Sequence, residues 1–182
     1  MLPEPEEKPH EVPVNPFTGH DVAEILRERG WLKADNPAET HAWCERAASL
    51  LGPQVADCAG LTALLALVFH YDAHEVIAKV ESHVVLSRYA ARDVLRQFAL
   101  QMLDGAPLTS DRFKEIITGM KESMDLRGRE LFHPIRLALT GRAGEGDLDR
   151  VILLLDDAAG LPFEVPVKSA RDRILEFCAA LD

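Results

Sequence analysis

The chain has 182 residues, 47% of them apolar and 27% charged, enough for one large domain or two small helical ones around a proper core. Its longest apolar run, residues 63–69, falls far short of the roughly 20 residues that cross a bilayer, and the Pro/Glu-rich start lacks a basic-then-apolar signal segment. Cys44, Cys58 and Cys178 form no close pair, which argues for reduced thiols in a cytoplasmic protein, and a net charge of -10 repels phosphate unless a local basic patch overrides it.

Residues 1–16 interleave five prolines with four glutamates, a composition that removes backbone donors and sets like charges together; they are expected to form an extended or disordered lead-in. Val22, Ile25 and Leu26 then repeat at helix spacing before Gly30. Asn36-Pro37-Ala38-Glu39 reads as a helix start, with Asn36 as cap and Pro37 in the first turn, opening a helix that carries Trp43, Ala47, Leu50 and Leu51 on one side and ends near Gly52-Pro53. Residues 60–69 predict a buried helix. Residues 74–103 are too long for one ordinary helix, and a break is expected near Ser82 or Ser87. Asp104-Gly105-Ala106-Pro107 is a turn and the best internal boundary, dividing a helical subdomain over 17–104 from a second over 105–182. Thr109 or Ser110 can cap the next helix, whose apolar face is Phe113, Ile116, Ile117, Met120 and Met124. Residues 151–155 belong to a further helix, and Ser169 with Asp172 caps a last one bearing Ile174, Leu175, Phe177 and Leu181. The one alternating stretch, residues 163–167, is held to a loop by Pro162 and Pro166. The fold class is all-α.

Residues 126–148 carry the most information. Pro134 suits the first turn of a helix, so a two-turn helix over 134–140 is expected, with His133 just before it and Phe132 packed on Leu137 as a hydrophobic staple. Ile135, Ala138 and Leu139 are available for burial, and Gly141 can close the helix in the left-handed conformation. Arg127, Arg129, Arg136 and Arg142 face only Glu130 between residues 127 and 142. Arginine forks match phosphates and stack on bases, while pairing with nearby Asp and Glu is the competing use.

The run Gly128-Arg129-Glu130-Leu131-Phe132-His133-Pro134-Ile135-Arg136-Leu137-Ala138-Leu139-Thr140-Gly141 resembles the signature of the anticodon-binding C-terminal region of bacterial glutamyl-tRNA synthetases, which are class I aminoacyl-tRNA synthetases. The resemblance covers roughly residues 109–156; upstream of Leu103 it extends only to a helical cage of similar length. It implies a stack of helices that splays an anticodon loop and reads its unstacked bases. By position it sets Arg136 near the anticodon, the loop over 142–148 against anticodon bases, and Leu148 on a contacting leucine. With Arg127, Arg129, Thr140, Arg142 and Glu145 these form the expected RNA-binding set. Glu145 and Gly146 stand where some family members carry a base-contacting Thr-Pro pair; a carboxylate repels phosphate yet can accept from a cytosine amine.

The family's catalytic half, with its HIGH-like and KMSKS-like signatures and parallel strands, has no counterpart in the sequence, so catalysis by this chain alone is not expected. Met120-Lys121-Glu122-Ser123-Met124 only superficially resembles the second signature, Gly144-Glu145-Gly146 lacks the strand and Lys of a phosphate cradle, and His70, Asp72, His74 and Glu75 miss zinc spacing because Ala78 stands where a second His is needed. Trp31 and Trp43 read as helix-packing residues. The expectation is a tRNA-binding module with no cofactor, no metal, no DNA and no membrane, working in trans with a separate synthetase catalytic protein or as an accessory factor. The alternatives are a helical protein-interaction adaptor and a fragment of a full synthetase; against the latter, Met1 followed by a polar tail resembles a natural start.

Overall fold

The structure is a computed structural model that describes residues 15–33 and 38–182. Most of the expected lead-in, and the helix start at Asn36 and Pro37, lie outside the described residues. Among those described the chain forms ten α-helices and one 3-10 turn, with no strand.

α1 (Gly19–Glu28) opens on a capping box: Thr18 Oγ1 accepts from the Asp21 backbone N–H, and the Asp21 carboxylate accepts from that of Thr18 at 2.8 Å. α2 (Ala38–Leu51) runs into the 3-10 turn Gly52–Gln54, where Pro53 ends it. Asn15, at the end of the lead-in, donates its side-chain amide to Ala48 O at 2.9 Å and so ties that segment to α2. α3 (Cys58–Phe69) is capped by Asp57, which accepts from Gly60 N–H at 2.8 Å.

The long run over 74–103 breaks twice, giving α4 (Ala73–Ala78), α5 (Val80–Leu86) and α6 (Ala91–Met102). One break spans residues 87–90, at the expected Ser87. The other falls at Lys79, whose backbone is extended, and the Ser82 hydroxyl stitches it by donating to Val76 O at 2.5 Å. α7 (Ser110–Met124) is capped by Thr109 and turns Phe113, Ile116, Ile117 and Met120 inward. α9 (Asp147–Ala159) follows α8 (Arg129–Thr140), residues 163–167 are a loop, and α10 (Ala170–Leu181) starts on the Ser169 cap, which accepts from Asp172 N–H at 3.1 Å.

α8 corrects the expected two-turn helix. It spans Arg129–Thr140, so Pro134 and His133 lie inside it and Phe132 is a helical residue rather than a staple ahead of the cap. Proline deletes the bond to the Glu130 carbonyl, a defect worth about 3 kcal/mol in a helix interior. Glu130 is exposed, where water can serve that carbonyl. The extra turn also buries Leu131 completely, which returns about 1.5–3 kcal/mol. Gly128, at φ +57, supplies the sharp entry that the proline was expected to mark.

One contiguous core runs from Val22 to Phe177. α1 packs on α2, α2 and α3 on α9, α8 on α6 and α9, and α10 against α4, α6 and α8, so helices from both sides of the 104–107 turn interleave. Trp31 stacks on Phe69 at 4.9 Å, and Trp43 meets Phe69 and Phe163 edge-on while donating its indole N–H to Leu154 O at 3.2 Å. Asp156 holds two segments at once, accepting from Leu108 N–H and Ala170 N–H. Among the described residues no helix is long and apolar enough to cross a membrane.

Candidate nucleic-acid interface

Residues 141–146 join α8 to α9, and the side chains beneath them fix their path. Gly141, at φ +84, closes α8 as expected, and its N–H returns to Leu137 O at 2.9 Å. Thr140 Oγ1 donates to Arg136 O at 2.8 Å and accepts from Arg142 N–H at 3.3 Å. Arg136 is only 8% exposed. Its Nε and Nη2 form a fork on the two Asp149 carboxylate oxygens at 2.8 and 2.9 Å, its Nη1 donates to Gly144 O at 2.9 Å, and its guanidinium lies 4.7 Å from the Phe132 ring centre. Leu148 is buried under the same loop, so close that a Cβ on Gly144 would come within 2.9 Å of its Cδ1.

The seven residues singled out from sequence therefore fall into two groups. Arg136, Thr140 and Leu148 are buried and shape the loop from below, whereas Arg127, Arg129, Arg142 and Glu145 are exposed. Arg129 Nη2 and Glu145 Oε1 stand 4.0 Å apart in solvent, a pair that contributes little to stability.

Two open grooves flank the loop. One, of about 750 Å³, runs along residues 142–148 and is completed by Gln54, Glu81 and Arg150. The other, of about 530 Å³, lies between α7, α8 and α9 and includes Lys114, Lys121, Phe132 and Arg150. They meet at Gly146 and Arg150. Lys114, Lys121, Arg142 and Arg150 are all exposed along them. Glu81, Glu145, Asp147 and Asp149 share the grooves, but Asp149 is committed to Arg136. Lys114, Lys121 and Arg150 escaped the sequence reading because they reach this face only through packing. The seven-residue spacing of Lys114 and Lys121, two turns along one side of α7, was the available signal.

Behind the loop, His133 is 9% exposed, with Nδ1 3.0 Å from Arg88 Nη1. The guanidinium can only donate, so Nδ1 accepts and Nε2 carries the proton, without a hydrogen-bond partner among the described residues. Burial, then Arg88, Arg136 and Arg129, hold the imidazole below its ordinary value of 6.5, with Glu145 opposing. A base depressed in the folded state binds fewer protons than in the unfolded chain. This contribution to stability is therefore complete above about 6.5 and is lost as pH falls below it. Thermal midpoints at pH 7.5 and 5.5 are expected to fall less on acidification for His133→Asn than for the unaltered protein.

Comparison with known proteins bears on this arrangement directly. The family model described as "Anticodon binding domain" matches residues 20–158, more than three quarters of the chain. The chain belongs to this anticodon-binding domain family. The match takes in nearly all of α1 to α9 and leaves α10 outside. Similar relatives are the glutamate–tRNA ligases of Geobacillus thermodenitrificans and Geobacillus stearothermophilus, each 32% identical over 130 residues, and that of Bacillus subtilis, 28% identical over 130 residues. Each alignment covers 71% of this chain and 26% of the ligase, in its C-terminal region, so the chain spans about a quarter of the length of the curated relatives it matches. No solved structure matches it. As an anticodon-binding domain the chain corresponds to one region of such a ligase.

Proposed function

We propose that this protein binds tRNA at the anticodon loop, along the two grooves that meet at Gly146 and Arg150, and that it does no catalysis by itself. It works in the cytoplasm, in trans with a separate synthetase catalytic protein or as an accessory factor in aminoacylation. The observation that carries this reading is the convergence of Lys114, Lys121, Arg142 and Arg150 on one face of a family anticodon-binding fold, in a chain that is otherwise acidic. Arg127, Arg129 and Glu145 extend that face, and Arg136, Thr140 and Leu148 hold its loop in shape.

A gel-shift titration with total tRNA tests it. Four phosphate contacts predict that affinity falls about 50-fold between about 50 and 200 mM salt. Arg150→Ala should weaken binding and lower the salt slope by about 1. No binding at about 50 mM salt, or binding indifferent to salt, would refute the reading.

One observation favours the adaptor alternative: Val80 and Val84 lie one helical turn apart on α5, 81% and 57% exposed. It would take precedence if tRNA fails to bind at low salt while Val80→Asp abolishes capture of a protein partner.

A further inference from the structure

Tyr89 is the most exposed large apolar side chain among the described residues, at 103%. It stands in the connection over residues 87–90, and the backbone beneath it is fixed. Arg88 N–H donates to Val85 O and Ala91 N–H to Arg88 O, each at 3.2 Å, Val94 N–H donates to Ala90 O at 2.9 Å, and Ala91 is buried. The ring is thus held out into solvent by an anchored turn.

A slot of about 210 Å³ opens beside it, lined by Arg88, Tyr89, Ala90, Ala91 and Glu130. Drug-sized ligands occupy roughly 300–1,000 Å³, so this slot suits a single planar ring. Arg88 is steadied on one side by His133, and Glu130 belongs to the first turn of α8, next to Arg129. Arg129 in turn stands 4.0 Å from Glu145 of the α8–α9 loop, which lines the larger groove described above.

We infer that this slot takes one unpaired nucleobase of a bound RNA, stacked on Tyr89. Every base offers a π-face to an aromatic ring, and the flanking phosphates are met by Arg88 and Arg129. Glu130 can accept a hydrogen bond from an exocyclic amine, which adenine, cytosine and guanine carry and uracil does not. A cationic peptide side chain would also find the ring and the carboxylate, but Arg88 and Arg129 repel it. A base is uncharged and its backbone anionic, so RNA satisfies all of these groups together. The inference rests on the tRNA-binding reading and adds a contact outside the groove set.

The test uses the full chain with total tRNA at about 50 mM salt. Tyr89→Ala is expected to weaken binding about 10-fold, while Tyr89→Phe and Tyr89→Trp stay within about 2-fold of the unaltered protein. Emission from the tryptophan of Tyr89→Trp, measured as the difference from the unaltered protein, should be quenched on adding tRNA. Unstructured adenine oligonucleotides should bind better than uracil ones, and Glu130→Gln should narrow that preference. If tRNA does not bind the unaltered protein, the functional reading and the slot fall together. If tRNA binds but Tyr89→Ala binds equally well, or the added tryptophan is not quenched, only the slot is overturned. Because Tyr89 is fully exposed, Tyr89→Ala should keep its thermal midpoint, which separates lost contact from lost fold.

Discussion

Replacing Arg173 with methionine is expected to lower the unfolding free energy by about 4 kcal/mol, from a total that for a domain of this kind is typically about 5–15 kcal/mol. Arg173 has no exposed surface and no carboxylate partner among its hydrogen bonds. Its guanidinium donates instead to four backbone carbonyls: Lys168 at 3.0 Å, Leu67 at 2.7 Å, Leu139 at 3.0 Å and Val68 at 2.6 Å. Leu67 and Val68 lie in the last turn of α3 and Leu139 in the last turn of α8, where carbonyls have no helical partner and the helix dipole is negative. The cation closes two helix ends onto α10, with the Tyr71 ring 4.8 Å away as a further wall. Burial lowers its pKa to about 10, which still leaves it protonated at neutral pH. Methionine fills the space but strands buried acceptors, each costing about 1–3 kcal/mol. Lysine cannot reach all four and should recover only part of the loss. Urea and thermal unfolding of the two variants check this; in a chain of this size the thermal midpoint of Arg173→Met should fall by about 10 °C or more. A loss below about 1 kcal/mol would mean that the carbonyls find water or new donors.

Arg173 also marks where sequence reading stops. Helix boundaries with local chemistry were legible: Thr109, Ser169 with Asp172, and Gly141 perform the capping that their types and positions predict. The Thr18–Asp21 box was equally visible in principle, since its donor and acceptor lie three residues apart. What could not be read is what depends on distant partners. Charges on amphipathic helices default to the solvent face, so nothing local reveals that Arg173 meets α3 and α8, or that Asp156 holds both the start of α7 and that of α10. Pro134 misled for the reverse reason: a strong local signal was overridden by burial of Leu131 and the turn at Gly128. The family likeness was read from a motif within residues 109–156, yet the family match begins at residue 20, taking in upstream helices that carry no short signature of their own. For the candidate site, counting arginines pointed to the loop over residues 141–146 but not to which arginine is buried and which exposed, a division that Asp149, thirteen residues from Arg136, helps to set.

Asp149→Ala is expected to weaken tRNA binding about 10-fold, although it removes a negative charge from a face proposed to meet phosphate. The side chains of Arg136 and Asp149 are only 10% and 25% exposed, and their fork holds the guanidinium where its Nη1 can grip Gly144 O. Losing the carboxylate leaves a buried cation without its partner, costs about 2–4 kcal/mol of stability, and releases the loop that carries Arg142 and Glu145. Arg136→Ala should lower affinity by a similar factor, and the double variant should be little worse than either single one, since both act through the same loop. Were Arg136 itself a direct RNA contact, Asp149→Ala would free it and raise affinity while Arg136→Ala lowered it. Gel-shift titrations of the three variants at about 50 mM salt, below their thermal midpoints, distinguish a positioning arginine from a contacting one by direction alone.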